Sequence, residues 1–212
     1  MPRSLDGTKF CPLGKSVLNY EILGSRFIAI LGFFDDESSF SSILSSIKEE
    51  YPKATHYCYA YKVGVSERMS DDGEPSRSVG LPLLNLLHNE NLDDAYLVVV
   101  RYFGGTKLGL PRLKRTYANL AKDAILKAEL AKMEEGEELL LSLSYHDFEA
   151  YKKGWDKDGT EYEIKEFGEK VSLLYRGDAK IADEFKKHLL EGAVLDEKKV
   201  IIKRRINNDS CK

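Results

Sequence analysis

Apolar positions along the first half of the chain fall into runs of two kinds. Ser25-Arg26-Phe27-Ile28-Ala29-Ile30-Leu31-Gly32-Phe33-Phe34 is β-branched and aromatic-rich, which predicts a largely buried strand. Asp35-Asp36-Glu37 follow, and acids suit the positive end of a helix that starts there. Phe40, Ile43, Leu44, Ile47 and Tyr51 then recur at helical spacing until Pro52 stops the run. Thr55–Val65 alternates Tyr57, Tyr59 and Tyr61 with His56, Cys58, Ala60 and Lys62, which predicts a strand with two unlike faces. Ala95–Val100 is continuously apolar and reads as a central strand buried on both sides. Beyond Gly104-Gly105 and Gly109, Pro111 opens a helix with an apolar face of Leu113, Tyr117, Leu120, Ala121, Ala124, Ile125 and Ala128. That helix is expected to run out near Met133-Glu134-Glu135-Gly136, the first domain boundary.

The second half repeats the alternation in a shorter frame. Leu139–Tyr145 reads as a strand, Asp147–Lys153 as a short helix and Gly154–Gly159 as a loop. Thr160–Glu166 and Lys170–Arg176 are strands meeting at Phe167-Gly168. Ile181, Phe185, Leu189 and Leu190 form a helix stripe, and Lys199–Arg205 is a last strand. The order β-α-β-β-α-β is the ferredoxin-like split arrangement. The expected organisation is therefore two α+β domains, residues 1–135 and 136–212.

Composition narrows the class. Hydrophobic residues make up 42% of the 212 and charged residues 32%, enough apolar material for a packed core and too much for a disordered chain. The net charge of −3 excludes a polycation that coats nucleic acid with its whole surface. Cys11, Cys58 and Cys211 are an odd set in a chain of this length, which argues against a disulfide framework and for a reducing compartment. The first residues carry no apolar run of signal-peptide type, and no stretch approaches the ~20 residues of a membrane helix. A soluble, cytoplasmic protein without a membrane partner is the expectation.

Two segments stand out as candidate chemistry. Ser70-Asp71-Asp72-Gly73-Glu74-Pro75-Ser76 crowds three acids around a turn-forming Asp-Gly. Acids so close repel, and solvent, a cation or a basic segment must compensate them. A solvated acidic turn and a Mg²⁺ site using one or two of the carboxylates both fit that pattern. Val100-Arg101-Tyr102-Phe103-Gly104-Gly105-Thr106-Lys107-Leu108-Gly109 lies between a buried strand and a helix, where glycines permit a sharp turn with exposed amides. Leu110-Pro111 follows where a phosphate-binding loop would carry Lys-Ser/Thr, so the segment is no P-loop. From Arg101 to Lys132 eight bases face two acids, against the sign of the whole chain. Arg112, Arg115 and Lys122 share a helical face away from the apolar stripe. Beside Tyr102 and Phe103 such a face can meet phosphates and stack a base, and it can equally be a solvated face paired with the acidic turn. Lys198, Lys199, Lys203, Arg204 and Arg205 form a second basic cluster. His56 and Cys58 lack a second pair at zinc spacing, and no nucleophile signature is present.

Ser25-Arg26-Phe27, His56-Tyr57-Cys58-Tyr59-Ala60, Asp71-Asp72-Gly73-Glu74-Pro75 and Arg101-Tyr102-Phe103-Gly104-Gly105, with Lys107-Leu108-Gly109 and Tyr117, resemble the IMPACT/YigZ family in order and spacing. The resemblance covers about residues 15–130. It implies an N-terminal α/β sandwich of the type shared with GHMP kinases and a small-subunit ribosomal protein. A ferredoxin-like domain similar to the last domain of elongation factor G is implied behind it. It also implies a link to translation and carries the family's motif positions onto His56, Cys58, Asp71, Asp72, Gly73, Glu74, Pro75, Arg101, Tyr102, Gly104, Gly105, Lys107 and Gly109. Arg77-Ser78-Val79-Gly80 stands where the family usually has Gly-Thr-Ala-Gly, and Leu110-Pro111-Arg112 where it has small residues.

The resulting expectation is a non-catalytic, translation-associated protein holding RNA or a ribosomal surface through Arg101, Lys107, Arg112, Lys114 and Arg115, with a possible protein partner in translation control and no cofactor. Two rivals share the fold. In an enzyme, Asp71, Asp72 and Glu74 would hold a cation while Arg101 and the Gly104-Gly105 amides steady a phosphate-bearing substrate. In a protein-interaction module, the acidic turn and the basic helix would satisfy each other.

Overall fold

In the computed structural model, which describes residues 7–158, 160–189 and 193–205, the chain divides into two units. The first reaches to Lys132 and the second spans Met133–Arg204. Short β1 (Lys9–Pro12) precedes a five-stranded antiparallel sheet of β2 (Ser16–Ile22), β3 (Ser25–Phe33), β4 (His56–Val63), β5 (Ser66–Ser70) and β6 (Ala95–Tyr102), in the order β2-β3-β6-β4-β5. The continuously apolar β6 takes the middle place, paired with β3 and β4, and is buried from Ala95 to Arg101. Helices on both faces bury it. Ile28, Ile30, Val98 and Val100 pack with Phe40 and Ile47 of α1 (Phe40–Glu50). Phe27, Ala29, Leu31, Leu97 and Val99 pack on the other face with α2 (Gly80–Asn89) and α3 (Leu110–Lys127).

Local signals set the helix starts. Asp36 accepts the Ser38 amide at 3.0 Å and caps a 3₁₀ turn, Glu37–Ser39, that leads into α1. Gly109 holds a positive φ of 76° ahead of α3, with Pro111 in the first turn. The end of α3 differs from the expectation. It stops at Lys127, and Met133–Gly136 lies inside a long strand, β7 (Leu130–Leu143), which passes from the first unit into the second. The strand pattern there is masked by consecutive charged residues on its half-exposed side.

The second unit runs β7, α4 (Tyr145–Asp158), β8 (Glu161–Phe167), β9 (Val171–Asp178), α5 (Ala179–Lys186) and β10 (Val194–Arg205). Its sheet order is β10-β7-β9-β8, the ferredoxin-like order. Leu139, Leu141, Leu143, Phe148, Trp155, Val171, Leu173 and Tyr175 form its core. Two expectations are corrected here. The loop from Gly154 is helix through Asp158, because Trp155 is buried against Tyr162 and Tyr175 and carries the helix past the glycine. In α5 the buried position is Ala182, whereas Ile181 is 40% exposed. The Phe185 side chain, Leu190, the Arg204 and Arg205 side chains, and Cys211 lie outside what is described. Cys11 and Cys58 are buried and joined in no disulfide. Among the described residues no helix is long and apolar enough to cross a membrane.

Candidate functional site

The acidic turn folds back on the end of the sheet, and each of its acids has a different neighbour. Asp71 accepts the backbone N–H groups of Arg77 at 2.7 Å and of Val79 and Gly80 at 2.8 Å, closing the loop that leads into α2. Partial burial works against its charge, but those amides and that of Ser78 outweigh burial and hold its carboxyl below the usual range. Asp72 accepts the Tyr57 amide at 2.6 Å, and its carbonyl lies 2.8 Å from His56 Nδ1. A carbonyl can only accept, so Nδ1 carries the proton and Nε2 is left facing Glu74 Oε1 at 3.8 Å. Glu74 is the centre of the knot. Its Oε1 accepts from Arg101 Nη1 at 2.5 Å and from the Tyr117 hydroxyl at 2.8 Å. The two charged side chains are only 5% and 6% exposed. Burial pushes the Tyr117 phenol far up, so it stays a donor. Burial likewise pushes the Cys58 thiol up, and the thiol donates to the Asp71 carbonyl at 3.0 Å. Burial and this bond keep Cys58 in its thiol form. No group of three or more His, Cys, Asp or Glu side chains suited to a metal occurs among the described residues.

The Arg-Tyr-Phe-Gly-Gly segment is divided between the two faces of the sheet. Arg101 points toward α3, its guanidinium 5.2 Å from the Phe27 ring and 5.3 Å from the Phe103 ring. Tyr102 packs on the α1 face, and its hydroxyl donates to the Pro52 carbonyl at 3.1 Å. The amides expected to be exposed are partly taken: Phe103 N–H donates to Thr55 Oγ1 and Gly104 N–H to Ser25 Oγ. Gly104 lies so close to the β2–β3 turn that a Cβ there would overlap the backbone of Gly24. Gly105 has open space and a positive φ of 86°. Lys107 is exposed beside it.

Four cations of the basic segment stand open on α3. Arg112, Lys114, Arg115 and Lys122 are exposed, and no carboxylate pairs with any of them among the described residues. The one bond in this set, Arg115 Nε to the Pro111 carbonyl, leaves the rest of that guanidinium open. Arg112 and Arg115 line a cavity of about 420 Å³ with Tyr20, Thr116, Asn119 and Asp123. Lys114 and Lys122 do not line it. The groove runs between α3 and the edge strand β2, whose Leu18 and Ile22 pack into the core on the same side as Tyr20. Motif reading missed Tyr20, Asn119 and Asp123. The signal was present in the spacing, since 112, 115, 116, 119 and 123 form one stripe beside the apolar face. The motif residues thus separate: His56, Cys58, Asp71, Asp72, Glu74 and Arg101 converge in one closed network, while Arg112 and Arg115 open onto the groove.

The sequence model of the Impact N-terminal domain matches residues 23–125, which contain both the network and the groove's α3 wall. An IMPACT family member from Haemophilus influenzae is 30% identical over 185 residues, covering 85% of this chain and 90% of that protein. One from Thermus thermophilus is 42% identical over 107 residues, and the chain spans only 58% of its length. The crystal structure of a hypothetical protein aligns with 95% of this chain and 98% of its own at a TM-score of 0.63 and 24% identity, which speaks to the fold alone. The chain belongs to the IMPACT family.

Proposed function

We propose that this chain is a translation-associated binding protein that holds RNA or a ribosomal surface through the exposed face of α3, chiefly Arg112 and Arg115 with Lys114 and Lys107 beside them. The observation that carries this is the lack, among the described residues, of a carboxylate partner for these cations in a chain whose net charge is −3. The acidic turn would be the natural internal counterion, yet its carboxylates are held by backbone amides, Arg101 and Tyr117. A basic face left open in this way attracts an external polyanion. Family membership supports the link to translation through the resemblance set out above. The enzyme alternative would have to pull Glu74 off Arg101 before a cation could take its place, which leaves a buried guanidinium unpaired.

Co-sedimentation with ribosomes and structured RNA over a salt series tests the proposal. The unaltered chain is expected to bind at low salt and to be released as salt rises. A folded Arg112→Glu, Lys114→Glu, Arg115→Glu variant is expected to lose binding. Equal sedimentation of both proteins, or none of either at low salt, overturns it.

A further inference from the structure

The groove between β2 and α3 is not uniformly basic. Tyr20, 45% exposed, stands on the strand side, Arg112 and Arg115 on the first turns of α3, and Asn119 and Asp123 one and two turns further along. Asn119 and Asp123 make no hydrogen bond or ion pair among the described residues, so the groove presents an open ring face, open guanidinium donors, an open amide and an open acceptor-only carboxylate. Its volume of about 420 Å³ is that of a small-ligand pocket. A carboxylate in a site for phosphate alone is repulsive, and its place at the far end from Arg112 points to a second chemical group there.

Resting on the reading of α3 as an RNA-binding face, we propose that this groove takes one unpaired guanine of a single-stranded RNA. The base lies on Tyr20, its flanking phosphates meet Arg112 and Arg115, and its Watson–Crick edge meets Asp123 and Asn119. Stacking on an exposed ring needs a base whose face is free, which a duplex does not offer. The carboxylate selects the base. Guanine presents two adjacent donors, N1–H and the N2 amino group, and next to them the O6 acceptor, which suits the Asn119 amide. Adenine, cytosine and uracil each set an acceptor beside a single donor on that edge and so place a lone pair against Asp123.

The test is fluorescence anisotropy with a labelled eight-nucleotide A/U RNA carrying one guanine. It is compared with the same strand carrying inosine, which lacks the N2 amino group, with one carrying adenine, and with the guanine strand annealed to its complement. The guanine strand is expected to bind about tenfold more tightly than the adenine strand, inosine between them and the duplex weakest. Asp123→Asn is expected to erase the guanine preference without weakening the adenine strand. Tyr20→Ala is expected to lower affinity for every single strand about tenfold and leave the duplex unchanged. Circular dichroism checks that these exposed-site variants fold. If strands and duplex bind alike and Asp123→Asn changes nothing, while Arg112→Glu/Arg115→Glu still abolishes binding, the guanine groove is wrong and the basic face stands. If no RNA binds the unaltered chain, both readings fall.

Discussion

Glu74 and Arg101 face each other where neither reaches bulk water, and that one contact anchors the acidic turn to β6. Removing one partner of a buried pair leaves the other unsolvated, so Arg101→Ala is expected to cost about 3–5 kcal/mol, read as a lower urea midpoint. Tyr117→Phe takes away only one of the donors to Glu74 and is expected to cost about 1 kcal/mol. Asp71 adds a pH dependence. Its carboxyl is held below its unfolded value, so its contribution is complete above that value and is lost as pH falls through the folded one. Stability is therefore expected to drop on acidification below about pH 4, and Asp71→Asn to flatten that drop while lowering stability at pH 7, as urea titrations at several pH values will show. Arg77 holds a positive φ of 55°, at the place where the family's usual run has glycine. Such a conformation is strained for a side chain by about 1 kcal/mol, and Arg77→Gly is expected to leave stability unchanged or slightly raised. The acids were conspicuous in the sequence, but their partners were not. Spacing cannot tell that Asp71 turns to amides six to nine positions on while Glu74 crosses to Arg101.

Among the elements, those with strong periodicity were legible: β3, α1, β4, β6 and the start of α3. Each buries a full face or both faces, so the apolar pattern is complete. The strands at the sheet edges, β2 and β5, were not read. An edge strand with few buried positions shows little alternation, and Val17, Tyr20 and Met69 are exposed apolar residues in them. Helix α2 was hidden for the opposite reason. Leu81, Leu83, Leu84, Leu86 and Leu87 crowd a short run that opens with Gly80 and Pro82, and no polar face separates them clearly. Missing β2 meant missing one wall of the groove. The turn that joins β2 to β3 offers a test of the element-level packing. Gly104→Ala would drive a methyl group into the Gly24 backbone and is expected to destabilise more than Gly105→Ala, whose cost is the left-handed φ alone, ~1 kcal/mol. Thermal unfolding of the two variants compares them directly.

For the molecule as a whole, charge is sorted rather than balanced. The acidic turn is satisfied internally, the N-terminal sheet is covered on both faces, and α3 carries on the outside cations that have no carboxylate partner among the described residues. The ferredoxin-like arrangement of the second half followed from element order, and the sandwich of the first half from the family resemblance. The proposed binding face was legible as an excess of bases and a shared helical face of Arg112, Arg115 and Lys122, whereas the burial of Arg101 depends on the tertiary packing. The most direct measurement is the salt dependence of binding to a single-stranded RNA, for the unaltered chain and for Arg112→Ala/Arg115→Ala. If both arginines neutralise phosphates, the slope of log affinity against log salt is expected to fall by about 1.4 in the variant, near 0.7 per phosphate. An unchanged slope would mean that these arginines touch no phosphate, and the account of α3 would be contradicted.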